Sequence, residues 1–309
     1  MLFRALRVSL AIATCSLFSA ITHYHASASA LSLSRMTSAQ ANMALHLTRS
    51  SPLDLEIGGD LAGSPSNRVR YLTREDLLQF PQVTYTVTDD PNFAGPVQIR
   101  GVELDVLARA LSSDVENTVI VAISSDDYRA HYPQSYLQAH RPVLVLEVNG
   151  LPPAGWPRSR EGTGSAMGPY LISQPHFTPS FRILSHSDEP QIPWGVLRLD
   201  FRSAQAVFGP ITPRGADAAD PRVQAGFRIA QQNCLRCHGP ETEPHLKGFL
   251  TWSGIALFAA TSQGSFAAYV RNPQAQAQSA KMPGNPNYDD ATIEALILYF
   301  RTFALQEKR

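Results

Sequence analysis

Residues 233–239 read NCLRCHG, and this stretch places Cys234 and Cys237 three residues apart with His238 immediately after. The third cysteine of the chain, Cys15, lies in its first 30 residues, so beyond these two thiols almost 200 preceding residues contain none. Three chemistries use such a pair. A disulfide between positions this close would close a very small loop and staple almost none of the chain. A zinc knuckle needs two further ligands, which His238 and His245 could supply. Covalent attachment of a haem needs two thiols and a histidine at this spacing.

The spacing favours the third. On one helical turn Cys234 and Cys237 can reach the two vinyl-derived carbons of a porphyrin while His238 turns its imidazole toward the iron. A sixth iron ligand is expected from Met282 in AKMPGNP, 44 residues after His238. A thioether opposite imidazole raises the potential of the iron, and Pro283 with Gly284 shapes a loop able to present it. His245 is the alternative axial ligand. Lys247, Arg271 and Lys281 are candidate rim charges, but an ordinary solvated surface is the favoured reading because basic and acidic groups nearly balance in this part of the chain.

The surrounding text predicts helices. In AADPRVQAGFRIAQQNCLRCHG, Asp220 can cap and Pro221 can take the first helical position, with Val223, Phe227 and Ile229 forming an apolar stripe. In YDDATIEALILYFRTFAL, Asp289 or Asp290 caps, and Ile293, Leu296, Ile297 and Phe300 recur at helical period. A middle helix includes GSFAAYVRNP. The outer two helices can cross closely at Gly226, which admits Tyr299 or Phe300.

Residues 221–305 therefore resemble a class I c-type cytochrome domain in motif order and spacing. The resemblance implies an all-α domain over 221–309, one covalent haem c, ligation by His238 and Met282, and electron transfer outside the cytoplasmic membrane.

Export fits this. Residues 1–30 place Arg4 and Arg7 ahead of the apolar run VSLAIATCSLF and end in ASASA, which reads as a signal peptide that carries Cys15 away and leaves a periplasmic chain with no integral membrane segment. The chain has 26 basic and 26 acidic side chains; without Arg4 and Arg7 the balance is 24 to 26. No basic tract stands out, which argues against nucleic acid as a partner. A periplasmic redox protein or dehydrogenase is expected instead.

The front half reads differently. VTYTVT, VQIRGVE, NTVIVAI, PVLVLEV, GPYLIS and WGVLRLDF are short Val, Ile and Tyr-rich runs separated by turn formers. Thr73 followed by Asp76 opens a short helix, and Leu104 to Leu111 is a second. Mainly β structure with a few helices is expected over 66–205, preceded by an arm at 31–65 and followed by a linker at 206–220. LLQFPQVTYTVTDD, GVELDVLARAL, SSDDYRAHYP and GPYLI make residues 65–175 similar to the molybdopterin-binding domain of the sulfite-oxidase type. That resemblance implies a pterin site whose molybdenum is also held by a protein cysteine, and the front half has none. His131, His140 and His176 are separated and make poor substitutes. Molybdopterin is therefore not expected. The expectation is a single-haem electron carrier more than a catalyst, with the front domain as scaffold or docking module; the alternative is a haem-containing subunit of a molybdopterin-dependent oxidoreductase.

Overall fold

In the computed structural model, residues 45–64, 68–159, 164–177 and 189–304 are described. The proposed signal peptide, residues 31–44 of the N-terminal arm and residues 305–309 lie outside them. A β/α-rich region over about 55–203 is followed by a mostly helical one over about 204–304. Residues His46–Arg309 form a single contact unit, so the two regions are packed on each other.

The first region is built on β1 (Leu55–Gly59), β2 (Arg70–Leu72), α1 (Arg74–Gln79), β3 (Val83–Val87), β4 (Val97–Glu103), α2 (Leu104–Leu111), β5 (Thr118–Ser124), β6 (Arg129–Pro133), α3 (Gln134–His140), β7 (Val143–Val148), β8 (Tyr170–Ser173) and β9 (Trp194–Ser203). The Thr73 hydroxyl accepts from the Asp76 backbone while the Asp76 carboxylate accepts from the Thr73 backbone, a reciprocal cap that starts α1 where the sequence predicts it. The strands join one sheet in the order β2-β1-β9-β8-β7-β4-β3, with β5 between β9 and β6. Only the β1–β9 pairing is parallel among the described strands. Strand β1 lies inside the stretch expected as an arm, because Leu55 and Ile57 alternate onto the buried face beside β9.

Strand β9, which contains the run WGVLRLDF, is the hub. Val196 pairs with both β5 and β8, and residues Arg198–Phe201 pair with both β1 and β5. One edge of β9 thus carries β5 and the other carries β8 followed by β1.

The second region has α4 (Ala204–Phe208), α5 (Pro221–Asn233), α6 (Trp252–Thr261), α7 (Gln263–Arg271), α8 (Pro273–Gln276) and α9 (Asp290–Ala304). The Asp220 side chain accepts from the Arg222 amide and Pro221 occupies the first turn of α5. Asp289 caps α9 by accepting from the Thr292 amide at 2.8 Å. A Cβ placed at Gly226 would clash with the Ala295 carbonyl oxygen and come within 2.8 Å of the Tyr299 Cβ, so α5 and α9 cross at backbone contact there.

Residues 206–220, expected as a linker, are folded against both regions. Val207 and Ile211 are buried with Val119 and Val121 of β5 and with Val223, Trp252, Leu296 and Phe300 in one apolar core. A separate core lies between β3, β4, β7 and the loop holding Trp156 and Met167. No helix among the described residues is long and apolar enough to cross a membrane.

Candidate haem site

Helix α5 ends at Asn233, and the chain continues in a tight 3-10 turn over Cys234–Arg236. The His238 amide donates to the Cys234 carbonyl at 2.9 Å and the Cys237 amide to the same oxygen at 3.2 Å, so both thiols and the imidazole are fixed on one turn. Cys234 and Cys237 are unpaired thiols, and the disulfide alternative is not formed. Burial, with Cys237 beside it, pushes the Cys234 thiol up to about 12, and burial also raises Cys237.

The chain then makes a long loop and returns. Gly248 donates its amide to the Cys237 carbonyl at 2.7 Å, and Trp252 donates to the Gly239 carbonyl at 2.8 Å. Gly248 lies against the imidazole: a Cβ there would clash with His238 Nδ1 and Cε1 and lie 2.9 Å from the Cys237 carbonyl oxygen. The Leu250 carbonyl, two residues on, is 2.7 Å from His238 Nδ1. A carbonyl only accepts, so Nδ1 carries the proton and Nε2 has the free lone pair a metal would take. Burial holds the imidazole below its usual range against the opposing effect of this hydrogen bond, which keeps it neutral as a ligand must be.

Met282 is half-buried in the same apolar cluster as Cys234, and its carbonyl accepts from Gln274 Nε2 at 2.9 Å. His245 is exposed, with φ of 50°. Phe249 is 99% exposed and Leu250 36%, which leaves large apolar side chains in solvent directly after the glycine that packs on His238. A one-sided neutral imidazole, two unpaired thiols on its turn, and apolar surface next to it fit a covalently held haem. Among the described residues no group of three or more His, Cys, Asp and Glu side chains is placed to hold a metal ion. The four-ligand knuckle of Cys234, Cys237, His238 and His245 is therefore not assembled, and neither is a triad of His131, His140 and His176. His131 is buried on β6, His140 stacks on Tyr136, and His176 is exposed.

The sequence gives no sign of how the β/α region reaches this site. Arg129 on β6 is buried and donates from Nη1 to Glu243 Oε2 at 2.5 Å and from Nη2 to the Pro244 carbonyl at 2.6 Å. Arg202 on β9 pairs with the other oxygen of Glu243 at 2.6 Å. Burial alone would raise the Glu243 carboxyl, but the Arg202 and Arg129 guanidinium groups hold it below the usual carboxylate range. Lys247 sits 2.5 Å from Asp126 and over the Tyr128 ring. Arg236, between the two cysteines, reaches back to the Pro190 carbonyl at 3.1 Å. Lys247 is thus paired to the SSDDYRAHYP hairpin while remaining exposed, and Arg271 is engaged by Asp290 and the Tyr288 carbonyl.

Residues 221–300 match the family model described as cytochrome C oxidase, cbb3-type, subunit III. No curated protein matches the chain. Among solved structures it is similar to the sulfane dehydrogenase SoxCD from Paracoccus pantotrophus, at 16% identity and a TM-score of 0.34, over 54% of this chain and 46% of that one. The chain spans less than half of that structure's chain. Over residues 221–300 the helical region is thus similar to a family of cytochrome oxidase subunits.

Proposed function

We propose that the chain carries one covalent haem c and is the electron-transferring, haem-containing subunit of a periplasmic oxidoreductase of the molybdopterin type. The observation that carries the haem is the turn over Cys234–His238, whose imidazole is held by Leu250 with Nε2 left for iron. Cys234 and Cys237 would form the thioethers, His238 the proximal bond and Met282 the sixth, with His245 as the alternative. When bound, the haem supplies a one-electron couple. The residues' part is to fix the ligands and keep one imidazole tautomer, as electron transfer needs little else from a protein.

Two observations support a subunit. The matching family is described as a subunit of an oxidase. The β/α region is also fixed to the haem segment by a charge cluster around the buried Arg129 and by a shared core, so the two regions would meet a partner as one body. A free-standing carrier, with the β/α region as a docking scaffold, is the second reading. It is favoured by the lack of any cysteine between Cys15 and Cys234 to serve as a molybdenum thiolate.

The test is iron and molybdenum analysis with a visible spectrum, on protein matured in a host able to attach haem c, both alone and with the proteins that copurify from its source. One iron per chain and a covalent haem c spectrum establish the haem. Molybdenum with the chain or its copurifying partner supports the oxidoreductase subunit, and iron alone in both samples supports the carrier. An absent haem spectrum would overturn both.

A further inference from the structure

A segment of eight residues, 243–250, joins the point where the β/α region grips the loop after the haem motif to the point where that loop grips His238. At one end Arg129, 7% exposed, aims its guanidinium at Glu243 and at the Pro244 and His245 carbonyls, the last at 3.4 Å. Arg202 holds the second Glu243 oxygen, and Asp126 holds Lys247. At the other end Gly248 packs on the imidazole and Leu250 accepts its Nδ1 proton. Loop stability is an insufficient reason for this arrangement. Arg129 Nε and the neighbouring His131 Nδ1 are buried without hydrogen-bond partners, and a buried charge cluster is often no more stabilising than apolar packing of the same volume. What a guanidinium fork aimed at a carboxylate and backbone carbonyls does supply is position.

We propose that Arg129 is a positioning residue for His238: from the sheet it fixes residues 243–250, and through Gly248 and Leu250 it fixes the tautomer and orientation of the imidazole, so that the β/α region sets the haem's electronic environment. This rests on the haem reading above. The role goes beyond docking, since it makes the β/α region part of the redox site's own support.

The experiment uses the full chain in two forms. In the haem-loaded protein, Arg129→Gln and Arg129→Lys are compared with Arg100→Gln, which removes a cross-strand ion pair between β4 and β7. Expected are a shifted midpoint potential and amide exchange over 243–250 faster by about tenfold for both Arg129 variants, with no change for Arg100→Gln. In a haem-free form carrying Cys234→Ala and Cys237→Ala, nitrogen NMR reads the His238 tautomer, and adding Arg129→Gln is expected to reduce the Nδ1–H population. If Arg129→Gln does not fold, Glu243→Gln, which keeps the guanidinium, replaces it in both forms. Lower global stability with unchanged tautomer, loop exchange and potential would overturn the proposal. Failure of the parent chain to attach haem would overturn the functional reading alone, because the haem-free tautomer and exchange measurements still decide whether Arg129 positions His238.

Discussion

His238 donates its Nδ1 proton to the Leu250 carbonyl at 2.7 Å, across a loop that Gly248 closes against the same ring. The bond settles the tautomer, and Gly248 supplies the space in which the ring lies. Because the acceptor is a backbone atom, its position depends on the loop's path and on no single side chain at 250.

Gly248→Ala tests that path. The added methyl would clash with the imidazole and cannot move without shifting the Cys237 carbonyl that Gly248 bonds. Expected is a loss of about 1–3 kcal/mol from overpacking, read by denaturant unfolding, with a lower yield of covalently attached haem in a maturing host. Unchanged stability and yield would place the imidazole elsewhere.

Met282→Ala addresses the sixth ligand. With Cys234 and Cys237 intact, haem attachment is expected to persist, while the midpoint potential falls and the low-spin spectrum is lost, because a thioether opposite histidine raises the potential. If His245 were the ligand, His245→Ala would produce the spectral change and Met282→Ala would leave it as it was.

Much of this site is local in the chain, and that is why it could be read. Two thiols and a histidine within five residues and a cap at Asp220 each act within one or two helical turns. Helix α6 was not legible for a physical reason: WSGIALFAAT is apolar nearly all round, burying Ile255, Ala256 and Ala259 while Leu257 is 58% exposed, so no polar stripe marks a helical period. Strand β6 contains Arg129 and His131, which break the apolar pattern of a buried strand. The buried Arg129 is partnered by Glu243, 114 residues away, and no local signal encodes a partner at that distance. Lys247 is the same case, since a rim position follows from its place near the motif, whereas its pairing follows from where the β5–β6 hairpin lies.

Gly226→Ala should be among the most damaging small substitutions in the helical region. The new Cβ would clash with the Ala295 carbonyl oxygen, and 2.8 Å from Tyr299 Cβ leaves no room to relax without separating α5 from α9. Tyr299 is fully buried, donates to the Ile211 carbonyl and accepts from Trp252 Nε1, so separation would disturb the core shared with β5. A loss of about 1–3 kcal/mol or more is expected by thermal or denaturant unfolding, and an effect below about 0.5 kcal/mol would mean that the helices do not cross there.

His131 predicts how the fold responds to acid. Burial, then the nearby Arg129, Arg202 and Arg236 charges, lower its imidazole to about 3 from 6.5. Between those values the unfolded chain binds a proton that the folded chain refuses, so stability rises with pH across the window and is lost as pH falls through it. The contribution approaches one proton, or about 1.4 kcal/mol per pH unit. His131→Leu removes the titration and also the buried Nδ1 that has no partner. It is expected to leave stability near neutral pH equal or higher and to make the slope between about pH 4 and about pH 6 shallower by close to one proton. The carboxylates that also titrate on the acid side are common to both proteins and cancel in the difference. Unfolding free energies measured across that range would show parallel slopes if His131 were instead accessible to protons in the folded chain.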